Sequence, residues 1–318
     1  MNSTPTTPPG PYHPGEREVQ RRAGLLAQAD HSGRAIGDGI REVAAAFLGL
    51  QPMLVVGAAD RAGRMWSSLL TGPPGFVTAT GPHSIGITGG VAAADPLAEA
   101  LAAPGTSVGT IALDPRTRRR MRLNGTARPT GRGLAIEADQ VFANCPKYLQ
   151  KRQLEEVVAD RAPGAARRSP ELGAAEADFV RAADTFFIAT ASPAGDPVRG
   201  PGEPAGARRA GPADASHRGG LPGFVTVTAP TRLSWPDYPG NAMFLTLGNL
   251  AADPRAGLLF TDWSSGDTLQ LTGTARTEFD DGGRTVHFEL TEAVWRPAAS
   301  PLRWSAPEYS PANPPLPG

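Results

Sequence analysis

Apolar and β-branched residues fall in short runs along this chain, and the runs come in the same order twice. MLVVGAA (Met53–Ala59), WSSLL (Trp66–Leu70) and GFVTAT (Gly75–Thr80) are matched by TFFIATA (Thr185–Ala191), ASHRG (Ala215–Gly219) and GFVTVT (Gly223–Thr228). A helical stretch follows in each half, DPLAEALA (Asp95–Ala102) and GNAMFLTLGNLAA (Gly240–Ala252). Three more strand-like runs close each half. They are SVGTIALD, RMRLNGTAR and LAIEADQVF in the first, and AGLLFTDW, TLQLTGTAR and TVHFELTEAVW in the second. Runs of this length bounded by Gly, Pro and Asp predict strands. Six of them with one intervening helix predict a small antiparallel barrel per half. Helical lead-ins are expected near residues 34–50 and 170–183, with a further N-terminal helix in GEREVQRRAGLLAQA.

The repetition extends to identical words. PGFVT begins at Pro74 and again at Pro222, and RLNGTAR at Arg122 is answered by QLTGTAR at Gln270, both 148 residues apart. Two matches at one spacing point to an internal duplication of domain size. LVVGAADRAG and FIATASPAG pair at a smaller spacing, and the Gly/Pro/Arg-rich stretch at 198–213 takes up the difference, reading as an inserted mobile loop. The expected organisation is a tail and helix at 1–33, a first domain at 34–160, a second at 161–304, and a disordered Pro-rich tail at 305–318.

Composition narrows the function classes. Lys plus Arg and Asp plus Glu are equal at 31 each, so no global field draws the chain to nucleic acid or to an anionic membrane. No apolar run is long enough for a spanning helix and no signal pattern opens the chain, so a cytoplasmic protein is expected. The single cysteine, Cys145, excludes an intrachain disulfide, and the scattered histidines offer no metal-ligand spacing. No phosphate-binding Gly-rich loop or Ser-centred elbow is present, and no acid–base pair stands out, so no catalytic side chain is assigned.

Several positions carry candidate chemistry, each with a plainer alternative. Alternation on a strand puts Ser216 and Arg218 on one face and His217 on the other. A hydroxyl beside a guanidinium suits a phosphate, but a solvated edge strand reads the same way. The segment Asp237-Tyr238-Pro239-Gly240-Asn241 is a turn before a helix, whose amides could receive an anion or simply cap the helix. Thr246 and Asn249 follow on that helix, facing a ligand or water. In the most basic run, RTRRRMRLNG, Arg120 and Arg122 share a face, and Gln270 is the second half's counterpart of Arg122. One such strand without interleaved aromatics is a poor nucleic-acid signal. Cys145 is more simply a buried structural cysteine than a nucleophile, and Lys147 is the stronger candidate of the pair.

The combination ADTFFIATASPAG, DASHRGGLPGFV, DYPGNAMFLTLGNLAADPRAGLLF and LQLTGTAR resembles the pyridoxamine 5'-phosphate oxidase-like FMN-binding split-barrel proteins, over about Ala182–Arg276. The first half shares the strands and the segment NCPKYLQKR, which is similar to a Cys-Pro-Lys segment of one branch of that family. The resemblance implies a mainly β protein with flanking helices, made of two tandem six-stranded antiparallel split barrels that form an intrachain pseudo-dimer. It implies a cofactor between them, FMN first, with FAD or deazaflavin as alternatives. It further implies cofactor contacts from Ser216, His217, Arg218, Asp237, Tyr238, Gly240, Asn241, Thr246, Asn249 and Gln270 on one side and Arg122, Cys145 and Lys147 on the other.

Because Leu69-Leu70 replaces His217-Arg218 in the first half, one composite site per chain is expected, with the other lost. The function implied is an FMN-dependent oxidoreductase acting on a small molecule or a nicotinamide cofactor. The alternative is a non-enzymatic flavin, deazaflavin or haem-binding protein. Further homo-oligomerisation is left open.

Overall fold

Two large antiparallel sheets carry the chain, and they share one strand order. The computed structural model describes residues 11–143, 146–158, 162–193, 210–281 and 283–316. Three helices come first: α1 (Pro14–Arg22), α2 (Leu26–Gly33) and α3 (Glu42–Gly49). The single N-terminal helix expected from the sequence is thus two, broken at Gly24, whose φ of 69° no helix accommodates.

The first sheet contains β1 (Met53–Ala59), β2 (Met65–Thr71), β3 (Val77–Gly81), β4 (Ser84–Thr88), β5 (Thr106–Asp114), β6 (Arg119–Thr130) and β7 (Gly133–Ala143), with the short helix α4 (Ala98–Leu101) between β4 and β5. A linking region holds β8 (Leu154–Val157), β9 (Arg167–Ser169) and the helix α5 (Ala174–Ala182). The second sheet contains β10 (Thr185–Pro193), β11 (Ala210–Gly219), β12 (Thr226–Ala229), β13 (Arg232–Pro236), β14 (Arg255–Thr261), β15 (Thr268–Asp280) and β16 (Gly283–Arg296), with α6 (Leu245–Ala252) between β13 and β14. The strand β17 (Leu302–Trp304) returns to pair with β8.

The orders are β2-β1-β5-β6-β7-β4-β3 and β11-β10-β14-β15-β16-β13-β12, and β9 extends the second sheet beside β16. Register repeats as well as order. Leu54 lies opposite Leu70 and Ala112, and Phe186 lies opposite Arg218 and Phe260. A bulge falls between Asn124 and Gly125 in the first sheet and between Thr272 and Gly273 in the second. The spacing of 148 residues is therefore carried position by position from β2 and β11 onward, while β1 and β10, which precede the insertion, correspond at the smaller spacing.

Each half has seven strands in this path, one beyond the six read from the sequence. The extra strands, β4 and β13, are five-residue arms of hairpins, and the Pro at the end of β13 reads locally as a turn. Two expectations about the margins need correction. Residues 210–213, assigned to a mobile loop, are the start of β11, while 194–209 lie outside the described residues. The tail at 305–318 is docked through residue 316. Ser305 and Glu308 bond to the backbone of Gln153 and Lys151, and the Ser310 amide and Asn313 side chain donate to the buried Gln150.

Each sheet has its own core, with Trp66, Leu54, Ile85 and Leu123 in the first and Trp235, Phe186, Phe260 and Phe288 in the second. Each of these side chains contributes roughly 1.5–3 kcal/mol by leaving water. A third cluster joins the halves: Met53, Val55 and Ile111 meet Phe187, Leu259 and Trp304.

At this seam the backbones touch, and the contact is reciprocal. A Cβ on Gly109 would stand 2.4 Å from the backbone of Asp214, and one on Gly257 would stand 2.4 Å from Cα of Trp66. Gly257 is the counterpart of Gly109, and Asp214 of Trp66, at the same spacing of 148. The halves thus meet as an isologous pair does, the same patch on both sides, within one chain.

Candidate functional site

The reciprocal seam creates two equivalent places, one open and one filled. The open one is a cleft of about 860 Å³, mouth included, between β6 and the segment at 147–148 of the first half and β11, the 236–244 turn and the start of α6 in the second. Of the thirteen positions singled out from the sequence, it brings together ten: Arg122, Lys147, Ser216, His217, Arg218, Asp237, Tyr238, Gly240, Asn241 and Thr246. Cys145 lies outside the described residues.

Two expected residues are elsewhere. Asn249 points away from the cleft, where its side-chain oxygen meets His13 at 2.8 Å and its NH2 donates to Thr190. One helical turn beyond Thr246, it faces α1, which crosses α6 so closely that a Cβ on Gly248 would strike Glu16. Gln270 belongs to the filled counterpart. It donates to the Ser67 carbonyl, to Ser68 Oγ and to Asp95.

Cations dominate the open cleft. Arg122 is 4% exposed and ion-pairs with Asp214. Its guanidinium lies over the Phe142 ring at 4.8 Å. Burial, then the neighbouring charges of Arg218 and Arg120, push its pKa well below the usual arginine value. An arginine stays protonated regardless, so Arg122 keeps its charge in the cleft against the cost of burial and of its cationic neighbours. Burial lowers Arg218 as well, against Asp237, whose nearest oxygen is 4.0 Å away and bonded on its other side to Arg284. The Nε atoms of Arg122 and Arg218 are buried without hydrogen-bond partners.

His217 is neutral. Burial, with Arg120 and Arg218 adding to it, holds its pKa well below the histidine range. Arg120 lies 2.7 Å from Nδ1. Since Arg can only donate, Nδ1 accepts and the proton sits on Nε2, which is buried with no partner. Ser216 Oγ receives a hydrogen bond from Thr246 Oγ1 at 3.0 Å, so strand and helix start are tied at the cleft floor.

The turn that closes the cleft is held out of ordinary geometry. Ala242 and Phe244 have φ of 61° and 56°, left-handed values that cost non-glycine residues energy and that gather where structure serves a site. Asn241 does not reach outward; its Oδ1 accepts from the Met243 amide. From the first half, Tyr148 donates to the Pro239 carbonyl at 2.7 Å and its ring meets Tyr238 at 5.2 Å. Lys147 is exposed at the mouth.

The filled counterpart shows what the cleft would be without its arginines. Leu69 and Leu70 stand at the register positions of His217 and Arg218. Buried Asp95 accepts from Ser68 at 2.6 Å, from the Leu97 amide and from Gln270, and burial raises its pKa. Ser68, Gln270 and Asp95 satisfy one another there, and the buried Arg296 adds its charge to Asp95, although its Nε has no hydrogen-bond partner.

Sequence reasoning missed Asp214, Tyr148 and Glu16. Asp214 was legible, two residues before Ser216 on the same strand face. Glu16 was not, because nothing local brings α1 to α6. It is 5% exposed, and burial pushes its carboxyl up to about 8 despite the His13 amide and the Arg122 charge, which oppose this.

Residues 172–303 match the family model of pyridoxamine 5'-phosphate oxidase. That stretch, which holds the second sheet and its flanking elements, is where the likeness to pyridoxamine 5'-phosphate oxidase lies. Among solved structures, the chain is similar to a protein from Lactobacillus delbrueckii provisionally described as a pyridoxamine 5'-phosphate oxidase, at 15% identity over 39% of this chain and 94% of that one, TM-score 0.29. It is also similar to the FAD binding protein of Mycobacterium smegmatis, at 16% identity over 42% and 98%, TM-score 0.25. An FAD-binding protein of Mesorhizobium loti matches at 12% identity over 42% and 98%, TM-score 0.26. No curated protein matches. No helix among the described residues is long and apolar enough to cross a membrane, and they contain no cluster of three metal-ligating side chains.

Proposed function

We propose that the cleft between the two halves holds one flavin per chain, FMN first, and that the protein is a cytosolic flavin-dependent oxidoreductase acting on a small molecule or a nicotinamide cofactor. The observation that carries this is the buried group of Arg122, Arg218 and His217, with partnerless Nε and Nε2 atoms and more positive charge than Asp214 and Asp237 balance. Such a group needs an anion, and a guanidinium beside a hydroxyl pair is suited to phosphate. Arg218, Ser216 and Thr246 are the phosphate-binding residues in this reading. Tyr148 and Tyr238 wall the mouth, Lys147 adds a cation there, and His217 offers an Nε2 proton to an acceptor.

A flavin supplies the two-electron chemistry that no side chain here provides. The chain's own part is to bind, to orient, and to keep water from the buried face. Two halves in one chain keep the interface at high effective concentration, so the site does not depend on a second copy. Titration of FMN into the protein, followed by flavin fluorescence, tests the reading. Saturable binding that Arg218→Ala weakens supports it, and no binding at millimolar FMN overturns it. The same titration with FAD and a deazaflavin ranks the cofactors.

A second reading follows from one side chain. A neutral, buried imidazole at an open cleft is also what an axial haem ligand starts from, and here ligation through Nε2 requires the proton to move to Nδ1 and Arg120 to turn away from it. A Soret band on adding haemin, lost in His217→Ala, favours that reading over the first.

A further inference from the structure

A second concavity lies beside the flavin cleft, on the first half alone. It is an open groove of about 1090 Å³ between α3, the start of β6 and the end of β7. Its floor is apolar. Phe47, Met121 and Phe142 are each no more than 6% exposed, yet they border open space. Val43 on the rim is 64% exposed, the most exposed large apolar side chain among the described residues.

The charged residues around it are of one sign. Arg41, Arg118, Arg119 and Arg120 line the groove, and no Asp or Glu does. In a chain with equal numbers of acids and bases that is a local imbalance. Arg118 is bonded to Glu308, and Arg120 turns to His217. Arg41 and Arg119 have no carboxylate partner among the described residues. The Arg119 guanidinium lies over the Phe47 ring, 5.2 Å from its centroid, which places charge at the edge of the apolar floor.

An apolar trough bordered by the unneutralised guanidinium groups of Arg41 and Arg119 matches a ligand with an apolar body and one anionic end. We propose that this groove binds an apolar carboxylate, its chain or ring on Phe47, Met121 and Phe142 and its carboxylate between Arg41 and Arg119. A cation would meet four arginines, and a small acid would leave the floor exposed to water. The assignment is independent of the cofactor, because none of the arginines at the proposed head position enters the flavin cleft.

Calorimetric titration of the full chain, flavin-free, with decanoate, decyltrimethylammonium and acetate below their aggregation concentrations tests this. Decanoate is expected to bind about tenfold or more tightly than either of the others, as charge-assisted contacts and apolar burial both require. In the double variant Arg41→Glu/Arg119→Glu, both positions exposed, the preference for decanoate over the cation is expected to vanish. Ala44→Trp, which fills the groove, is expected to abolish binding, with the melting temperature recorded to show that the variant is folded. Equal binding of anion and cation, no decanoate binding, or an unchanged preference in the double variant would overturn the assignment.

Discussion

Arg122 and Gln270 occupy one register position in the two sheets, opposite Ile111 and Phe142 in the first and opposite Leu259 and Val294 in the second. Arg122 reaches across the seam to Asp214 beside a cleft, whereas Gln270 reaches across it to Ser67, Ser68 and Asp95, which close the equivalent space. Asymmetry of function in this chain is thus a matter of a few side chains on a symmetric backbone.

The first consequence concerns Arg218. Truncation to Ala removes a charged donor from the proposed phosphate site. A hydrogen bond to a charged group is worth roughly 1.5–3 kcal/mol, so FMN affinity should fall about ten- to a hundredfold. Fluorescence titration measures it; an unchanged dissociation constant would remove Arg218 from the site.

Asp214→Ala should act on stability. It leaves the buried Arg122 without its carboxylate, which costs about 3–5 kcal/mol when one partner of a buried pair is lost. Urea unfolding measures the loss. Added phosphate should restore part of it if the cleft accepts anions, since a ligand bound only by the folded state stabilises it.

Glu16 gives a pH dependence with a definite sign. Its folded pKa of about 8 lies above the ordinary carboxyl value of 4.5, so the folded chain holds a proton that the unfolded chain releases. Its contribution is fully present below about pH 4.5 and is lost as the pH rises toward 8. The unfolding free energy should therefore fall across that window, by an amount on the order of a few kcal/mol. Glu16→Gln keeps the size and the capping geometry while removing the titration. A variant that retains the full decline would show that another group is responsible.

The seam itself is testable at Gly109. An Ala there drives a methyl into the Asp214 backbone, and overpacking of this kind costs roughly 1–3 kcal/mol. Gly257→Ala should cost a similar amount, because it meets the Trp66 backbone in the same way. Very different costs measured by urea unfolding would contradict the equivalence of the two contacts.

Much of this was legible from residues alone, for a physical reason. Strand patterning and repeated words are local, so PGFVT and NGTAR/TGTAR gave the two halves, and alternation along ASHRG gave Ser216 and Arg218 a common face. The failures at the site were tertiary. Asn249 is one turn along α6 from Thr246, but the approach of α1 sends it to His13 and Thr190. Gln270 matches Arg122 in spacing, and only the seam shows that it serves the opposite site. The C-terminal residues look like a free Pro-rich tail until Gln150, buried and with a carbonyl to satisfy, is seen to receive the Ser310 amide.

The account's central claim is one flavin site per chain, built from both halves. Flavin released from the FMN-saturated, desalted protein, quantified against protein concentration, tests it most directly. One FMN per chain in the native protein, falling toward none in Arg218→Ala, is the predicted result. Two per chain would show that the Asp95–Ser68–Gln270 counterpart also binds, and none would show that the arginine cluster serves another ligand; either would contradict it.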